Sequence, residues 1–203
     1  MTLTDLPREP KQDRSRETRE RILESTLECL ATKGWQATTT SVIADHSGIS
    51  RGALQHHFPT REDLVLAALS YIFESRVDQF PIDDTPPEGV DRFEYLVEQV
   101  LEYYASDHFK AALQIWAAAT GQPVLREQLL PHEDRFARAL YDRVVEVLGA
   151  DTSDERTHRL VQTTLDLARG LGLADVLRDD SKRRHSIARF WASELRSITR
   201  VSE

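Results

Sequence analysis

The chain has 203 residues, 40% hydrophobic and 30% charged, with 8 Gly and 8 Pro. That composition is enough to bury a sizeable core and excludes a disordered chain. A net charge of −8 excludes indiscriminate attachment to nucleic acid, and no window approaches 18 apolar residues, which excludes a helical membrane span.

Residues 1–20 are polar and charged throughout and lack the apolar stretch of a signal peptide, which predicts a cytoplasmic protein. Between residues 8 and 21 stand six basic side chains (Arg8, Lys11, Arg14, Arg16, Arg19, Arg21) against four acidic ones. From Tyr71 onward the balance is acidic, so a basic arm on an acidic body approaches DNA in one orientation. Ser15 is placed to cap a first helix with Ile22, Leu23, Leu27 and Leu30 on its apolar face, ending at Gly34. Cys29 has no partner for an intramolecular disulfide, fits a reducing compartment, and reads as a small buried hydrophobe.

A short helix is expected from Thr39 or Thr40 to about His46, then a turn at Ser47-Gly48-Ile49, then a second short helix capped by Ser50 and running to about His57. Pro59 stops it, and Thr60 with Asp63 resembles a capping box opening a long helix to about Gln79. Residues 80–89, with three prolines and a glycine, form the clearest break. Beyond it, helices are expected from Pro86-Pro87 to about Ser106, from Asp107 to about Thr120, and as a short piece up to Pro131. Pro131 is then read as the first turn of a helix ending at Gly149. A capping box at 152–155 opens a helix to about Leu177, and Ser181 caps the last, to about Ile198. No strand-like alternation or repeat occurs, so the fold class is all-α with nine or ten helices.

Residues 39–58 have the layout of a helix-turn-helix. Gly48 supplies a backbone conformation that a Cβ penalises. Ile43, Ile49 and Leu54 are spaced to meet in a small core that sets the angle between the two helices. Ser50 satisfies free amides at the start of the second helix, whose positive dipole end faces phosphates. Arg51, Gly52 and Ala53 then occupy the end where side chains reach base edges. Thr39 and Thr40 put hydroxyls and amides at another helix start, a natural phosphate site.

With these residues in place, the segment 18–64 resembles the N-terminal domain of the TetR family of repressors. The likeness rests on Thr18, Arg21-Ile22-Leu23, Gly34, Thr39-Thr40, Ile43-Ala44, Gly48-Ile49-Ser50, Gly52-Ala53-Leu54, His57-Phe58 and Arg61-Glu62-Asp63-Leu64. The resemblance implies a helix-turn-helix domain over residues 1–66, with a basic arm over 1–15, and a helical ligand-binding and dimerisation domain over 67–203. It implies phosphate contacts for Thr40, His57 and Arg61, with Arg51, Gln55 and His56 nearest the bases. Gln55 stands where the family usually has tyrosine, and Arg61 where it usually has lysine. Arg14, Arg16 and Arg19 are expected to add salt-dependent backbone contacts.

The stretch 111–149 looks, more loosely, like the C-terminal domain of the subgroup related to regulators of betaine synthesis. Phe136, Leu140 and Val144 on one helix, and Val161, Leu165, Ala168 and Gly172 on the next, are expected to form the dimer face. Gly170 and Gly172 inside a helix each cost roughly 1 kcal/mol relative to Ala, a cost offset if a neighbouring helix packs close there. Six of the aromatics lie between residues 93 and 116. Phe93, Val100, Tyr104, Leu113 and Trp116, with Gln114 and Arg169 as polar groups, are the candidate lining of a small-molecule pocket.

The function implied is a repressor that binds a palindromic operator as a homodimer and is released by a small, mostly apolar effector. The alternative is a DNA-binding regulator of the same fold without a small-molecule ligand. The seven histidines show no metal-ligand spacing, and there is no phosphate-binding glycine loop or nucleophile elbow. Neither an enzyme nor a cofactor is expected.

Overall fold

A computed structural model describes residues 10–77 and 85–201. Among them run nine α-helices and no strand; one isolated antiparallel bridge pairs Ala150 with Arg200. Helix α1 (Pro10–Ala37) is already helical before Ser15, so Ser15 caps nothing; its helical geometry breaks at Gly34 (φ 76°, ψ 174°). Arg8 and most of the basic arm lie outside the described residues. Helices α2 (Thr40–Ser47) and α3 (Arg51–His57) stand where the capping residues placed them. Helix α4 (Arg61–Val77) opens with the reciprocal box: the Asp63 amide donates to Thr60 Oγ1 (3.0 Å) and the Thr60 amide to Asp63 Oδ2 (3.2 Å).

Boundaries of four helices differ from expectation. Helix α5 (Arg92–Ala105) starts several residues after Pro86-Pro87, because Asp91 accepts from the amides of both Phe93 (3.1 Å) and Glu94 (3.0 Å). Those are orphan donors that a proline at the start does not satisfy. After α6 (Asp107–Thr120), the expected short helix and the helix from Pro131 are one continuous element, α7 (Pro123–Leu148), with Pro123 in its first turn. Pro131 sits in its interior on the exposed face, where water can meet the carbonyl that loses its amide. Helix α8 (Glu155–Asp175) is capped by Asp154 itself, which accepts from the Thr157 amide (3.0 Å) and hydroxyl (2.6 Å). Helix α9 (Ser181–Leu195) ends before Ile198.

The apolar core is continuous from Ile22 to Ile198. Helix α6 packs on α1, α4 on α7, and α5 against α8 and α9. The expected division after residue 66 therefore falls within α4, whose Leu64, Val65, Ala68, Leu69 and Ile72 all enter this core. Cys29 is fully buried in α1, and burial pushes its thiol pKa up.

The expected dimer face is corrected here. Phe136, Leu140, Val144, Val161, Leu165 and Ala168 are all at most 7% exposed within a single protomer, and Gly172 is buried with them. The most apolar stripe of each helix is taken by the chain's own core, and periodicity alone does not separate a core stripe from an interface stripe. Gly172 does allow close packing, but the neighbour is α5 of the same chain. A Cβ there would fall inside van der Waals contact of the Tyr104 carbonyl.

Candidate nucleic-acid interface and a pocket in the helical body

The α2–α3 pair is held by local caps. Thr39 Oγ1 accepts from the Val42 amide (3.3 Å), and Ser50 Oγ accepts from the Ala53 amide (3.2 Å). Between them Gly48 takes φ 67°, a left-handed conformation that side chains rarely adopt. Ile43 and Leu54 are buried and Ile49 packs against the same cluster, which fixes the pair's angle. On the outer side Thr39, Thr40, Ser50, Arg51, Gly52, Gln55 and His56 are exposed, with Ala53 and His57 half-buried. Nothing lies within 4 Å of where a Cβ at Gly52 would point. The start of α3 is thus an unobstructed edge carrying one cation and small residues, suited to close approach to a groove.

Three arginines expected at the DNA backbone already have partners within the protomer. The guanidinium of Arg61 lies 4.1 Å from the centre of the Trp35 ring and donates to the Trp35 carbonyl. Its Nε is buried without a partner, and burial lowers its pKa. Arg61 therefore braces the end of α1 against the start of α4. Arg16 is exposed and pairs with Asp13 (3.4 Å) and Glu20 (3.9 Å), loose surface pairs that leave it exchangeable. Arg19 lies over the Phe58 ring at 5.3 Å.

Gln114, expected in the pocket lining, has its carbonyl oxygen engaged by another helix. Its Oε1 accepts from the Trp35 amide at 3.1 Å, tying α6 to the bend that ends α1. A second tie joins Ser70 of α4 to His132 of α7 (Oγ to Nδ1, 2.9 Å). No motif marks either pair, because the partners are 79 and 62 residues apart.

A cavity of about 400 Å³ opens between α6, α7 and α8, walled by Trp116, Ala119, Leu129, Glu133, Ala137 and Arg169, with Arg126 and Asp134 among its other lining residues. Of the candidate lining residues, Trp116 and Arg169 reach it. Tyr104 lies behind, with the Arg169 guanidinium 5.8 Å from its ring centre. Phe93, Val100 and Leu113 are core packing, because their stripes face other helices of the same chain. Glu133 is the residue that sequence reasoning missed. Trp116 Nε1 donates to its Oε1 at 2.5 Å. Burial pushes its carboxyl pKa up, opposed by the indole bond and by the charge of Arg169.

Comparison with known proteins places these features. Residues 22–68 match the family described as bacterial regulatory proteins, tetR family. The HTH-type transcriptional regulator CymR of Pseudomonas putida is 25% identical over 179 residues, spanning 87% of this chain and 88% of that protein. The HTH-type transcriptional repressor AcnR of Corynebacterium glutamicum is 28% identical over 180 residues, 81% and 91% of the two chains. Among solved structures, Salmonella enterica GusR superposes with a TM-score of 0.63 at 26% identity, covering 88% of this chain and 93% of that one.

Proposed function

From a chain that belongs to the TetR family and is a transcription regulator rather than an enzyme, we propose a cytoplasmic repressor that binds a palindromic operator as a homodimer and is released by a small, mostly apolar effector. The observation that carries the reading is the exposed, Ser50-capped start of α3, set on a buried Ile43–Leu54 support. Arg51, Gln55 and His56 read bases, while Thr39, Thr40 and His57 meet the backbone.

The dimer face proposed in place of the buried stripe lies on the open side of α8 and α9. Leu173 is 57% exposed, Leu177 93% and Phe190 66%. Gly170 and Leu173 share one side of α8, Leu177 follows just past its C-terminal end, and nothing lies within 4 Å of a Cβ at Gly170. Large apolar side chains left in water beside a small residue favour a second helix at close range. A two-fold axis there presents two copies of α3 to half-sites about 34 Å apart.

Release is a shift in population between operator-compatible and incompatible spacings. The cavity's bonded pair, Trp116 and Glu133, lies close in sequence to the two ties. Gln114 on α6 holds Trp35, and His132 on α7 holds Ser70 of α4. A ligand that parts α6 from α7 therefore pulls on both, which supports this reading over a regulator with no small-molecule ligand.

Selection of duplexes from a random pool tests the proposal. A palindromic consensus is expected, and Arg51→Ala should weaken its binding by about 1–3 kcal/mol while relaxing preference at one position per half-site. A pool that never departs from random overturns it.

A further inference from the structure

We propose that the cavity between α6, α7 and α8 takes a monocation, an amine or quaternary ammonium carried on an apolar body, with Glu133 as its anchor. The inference rests on the reading of this cavity as the effector site. Its walls give the body apolar contact from Trp116, Ala119, Leu129 and Ala137. Its polar groups decide the sign of the charge. Glu133 accepts one hydrogen bond, from the Trp116 indole, and among the described residues it makes no ion pair. A carboxylate drawn out of water with a neutral donor as its bonded partner is short of a cation.

Arg169 argues for the opposite charge, since its Nε is buried without an acceptor. Two contacts decide against it as an anion's partner. Its NH1 already pairs with Asp166 at 3.0 Å, and its guanidinium lies toward the Tyr104 ring. With Arg169 paired to Asp166 outside the lining, the charges left on the cavity wall are Glu133 and Asp134 against Arg126, two negative against one positive, which leaves one negative charge in excess. An anion would meet that excess. A neutral ligand would leave Glu133 as it is. A monocation cancels the excess at the one carboxylate that lies within the apolar wall. The orphan Nε of Arg169 then favours ligands that carry an acceptor oxygen a few bonds from the nitrogen.

Three molecules of nearly one shape separate these cases: phenethylamine, 2-phenylethanol and phenylacetate, titrated calorimetrically into the full chain at neutral pH. Phenethylamine should bind at least about tenfold more tightly than either of the others, the size of one charge-assisted hydrogen bond. Glu133→Gln, which keeps an acceptor for the indole, should bring the three affinities together. Phenylacetate binding as tightly as the amine, a preference that survives Glu133→Gln, or no binding by any of the three up to solubility each overturns the inference. A chain that selects a palindromic duplex yet fails this titration loses the cavity assignment alone. One that binds the amine through Glu133 but selects no duplex loses the DNA reading alone.

Discussion

The two ends of the molecule use their polar groups differently. In the α2–α3 region the bonds that set geometry are made within three residues, Val42 to Thr39 and Ala53 to Ser50. In the larger helical body they join distant positions: Trp116 to Glu133, Trp191 to Thr164, Ser70 to His132, Trp35 to Gln114. A region whose polar bonds are local caps, set on its own buried apolar support, keeps its shape when distant helices shift, as a rigid reader requires. A region whose polar bonds cross between helices has a shape that depends on how those helices sit, as a sensor requires.

The strongest way to break this contrast is at the reader's support. Leu54 is 2% exposed beneath α3. Leu54→Ala should cost about 3 kcal/mol in thermal or urea unfolding and abolish duplex selection, because caps alone do not hold a seven-residue helix. Full selection by that variant would show that the caps suffice and that the buried contact is dispensable.

Next in size are the two helix-interior glycines of α8, which share a sequence context and differ in surroundings. Gly172→Ala drives a Cβ into the Tyr104 backbone and should destabilise the protomer by about 2 kcal/mol. Gly170→Leu meets open space within the protomer and should leave its fold intact, while weakening self-association about tenfold or more in sedimentation. If Gly170→Leu left the dimer untouched, the exposed side of α8 would not be the interface.

This pair also shows how far the sequence was legible. Periodicity found α7 and α8 and marked their apolar stripes, and the cost of glycine in a helix pointed to close packing at 172. It carried no information on whether the closely packed neighbour belonged to the same chain. The α2–α3 geometry was legible down to single caps because cap and amide lie within one turn. Gln114 shows the opposite case. Its helix was placed correctly, yet its partner Trp35 is 79 residues away, and an amide side chain facing inward reads the same whether it meets a ligand or a backbone. Glu133 was hidden by Pro131, which suggested a helix start where acidic residues are expected to be solvated.

A smaller effect sharpens the contrast at the join between the two regions. Gln114→Leu leaves the Trp35 amide without its acceptor, which should cost about 1–2 kcal/mol. Hydrogen exchange at that amide should accelerate, while the caps at Thr39 and Ser50 stay protected. Unchanged exchange at Trp35 would mean that α6 does not hold the end of α1.

The smallest effect has the opposite sign. Burial raises the pKa of Glu133, so its folded form holds a proton more tightly than the unfolded chain does. A group shifted this way stabilises fully below its unfolded pKa, and that contribution is lost as pH rises through the folded value. At neutral pH the ionised carboxylate is therefore a net cost. Glu133→Gln removes the charge and keeps an oxygen for Trp116, so it should stabilise the ligand-free protein by up to about 1 kcal/mol, or ~3 °C in Tm. The gain should shrink as the pH is lowered and the wild-type carboxyl takes up its proton. A variant less stable than wild type at neutral pH would mean that attraction to Arg169 outweighs desolvation, and Glu133 would then be a structural ion-pair partner with no charge left over for a ligand. A gain confined to neutral pH would instead mark Glu133 as a residue kept at the expense of stability, which the caps of the reader, each satisfying an amide that folding leaves bare, are not.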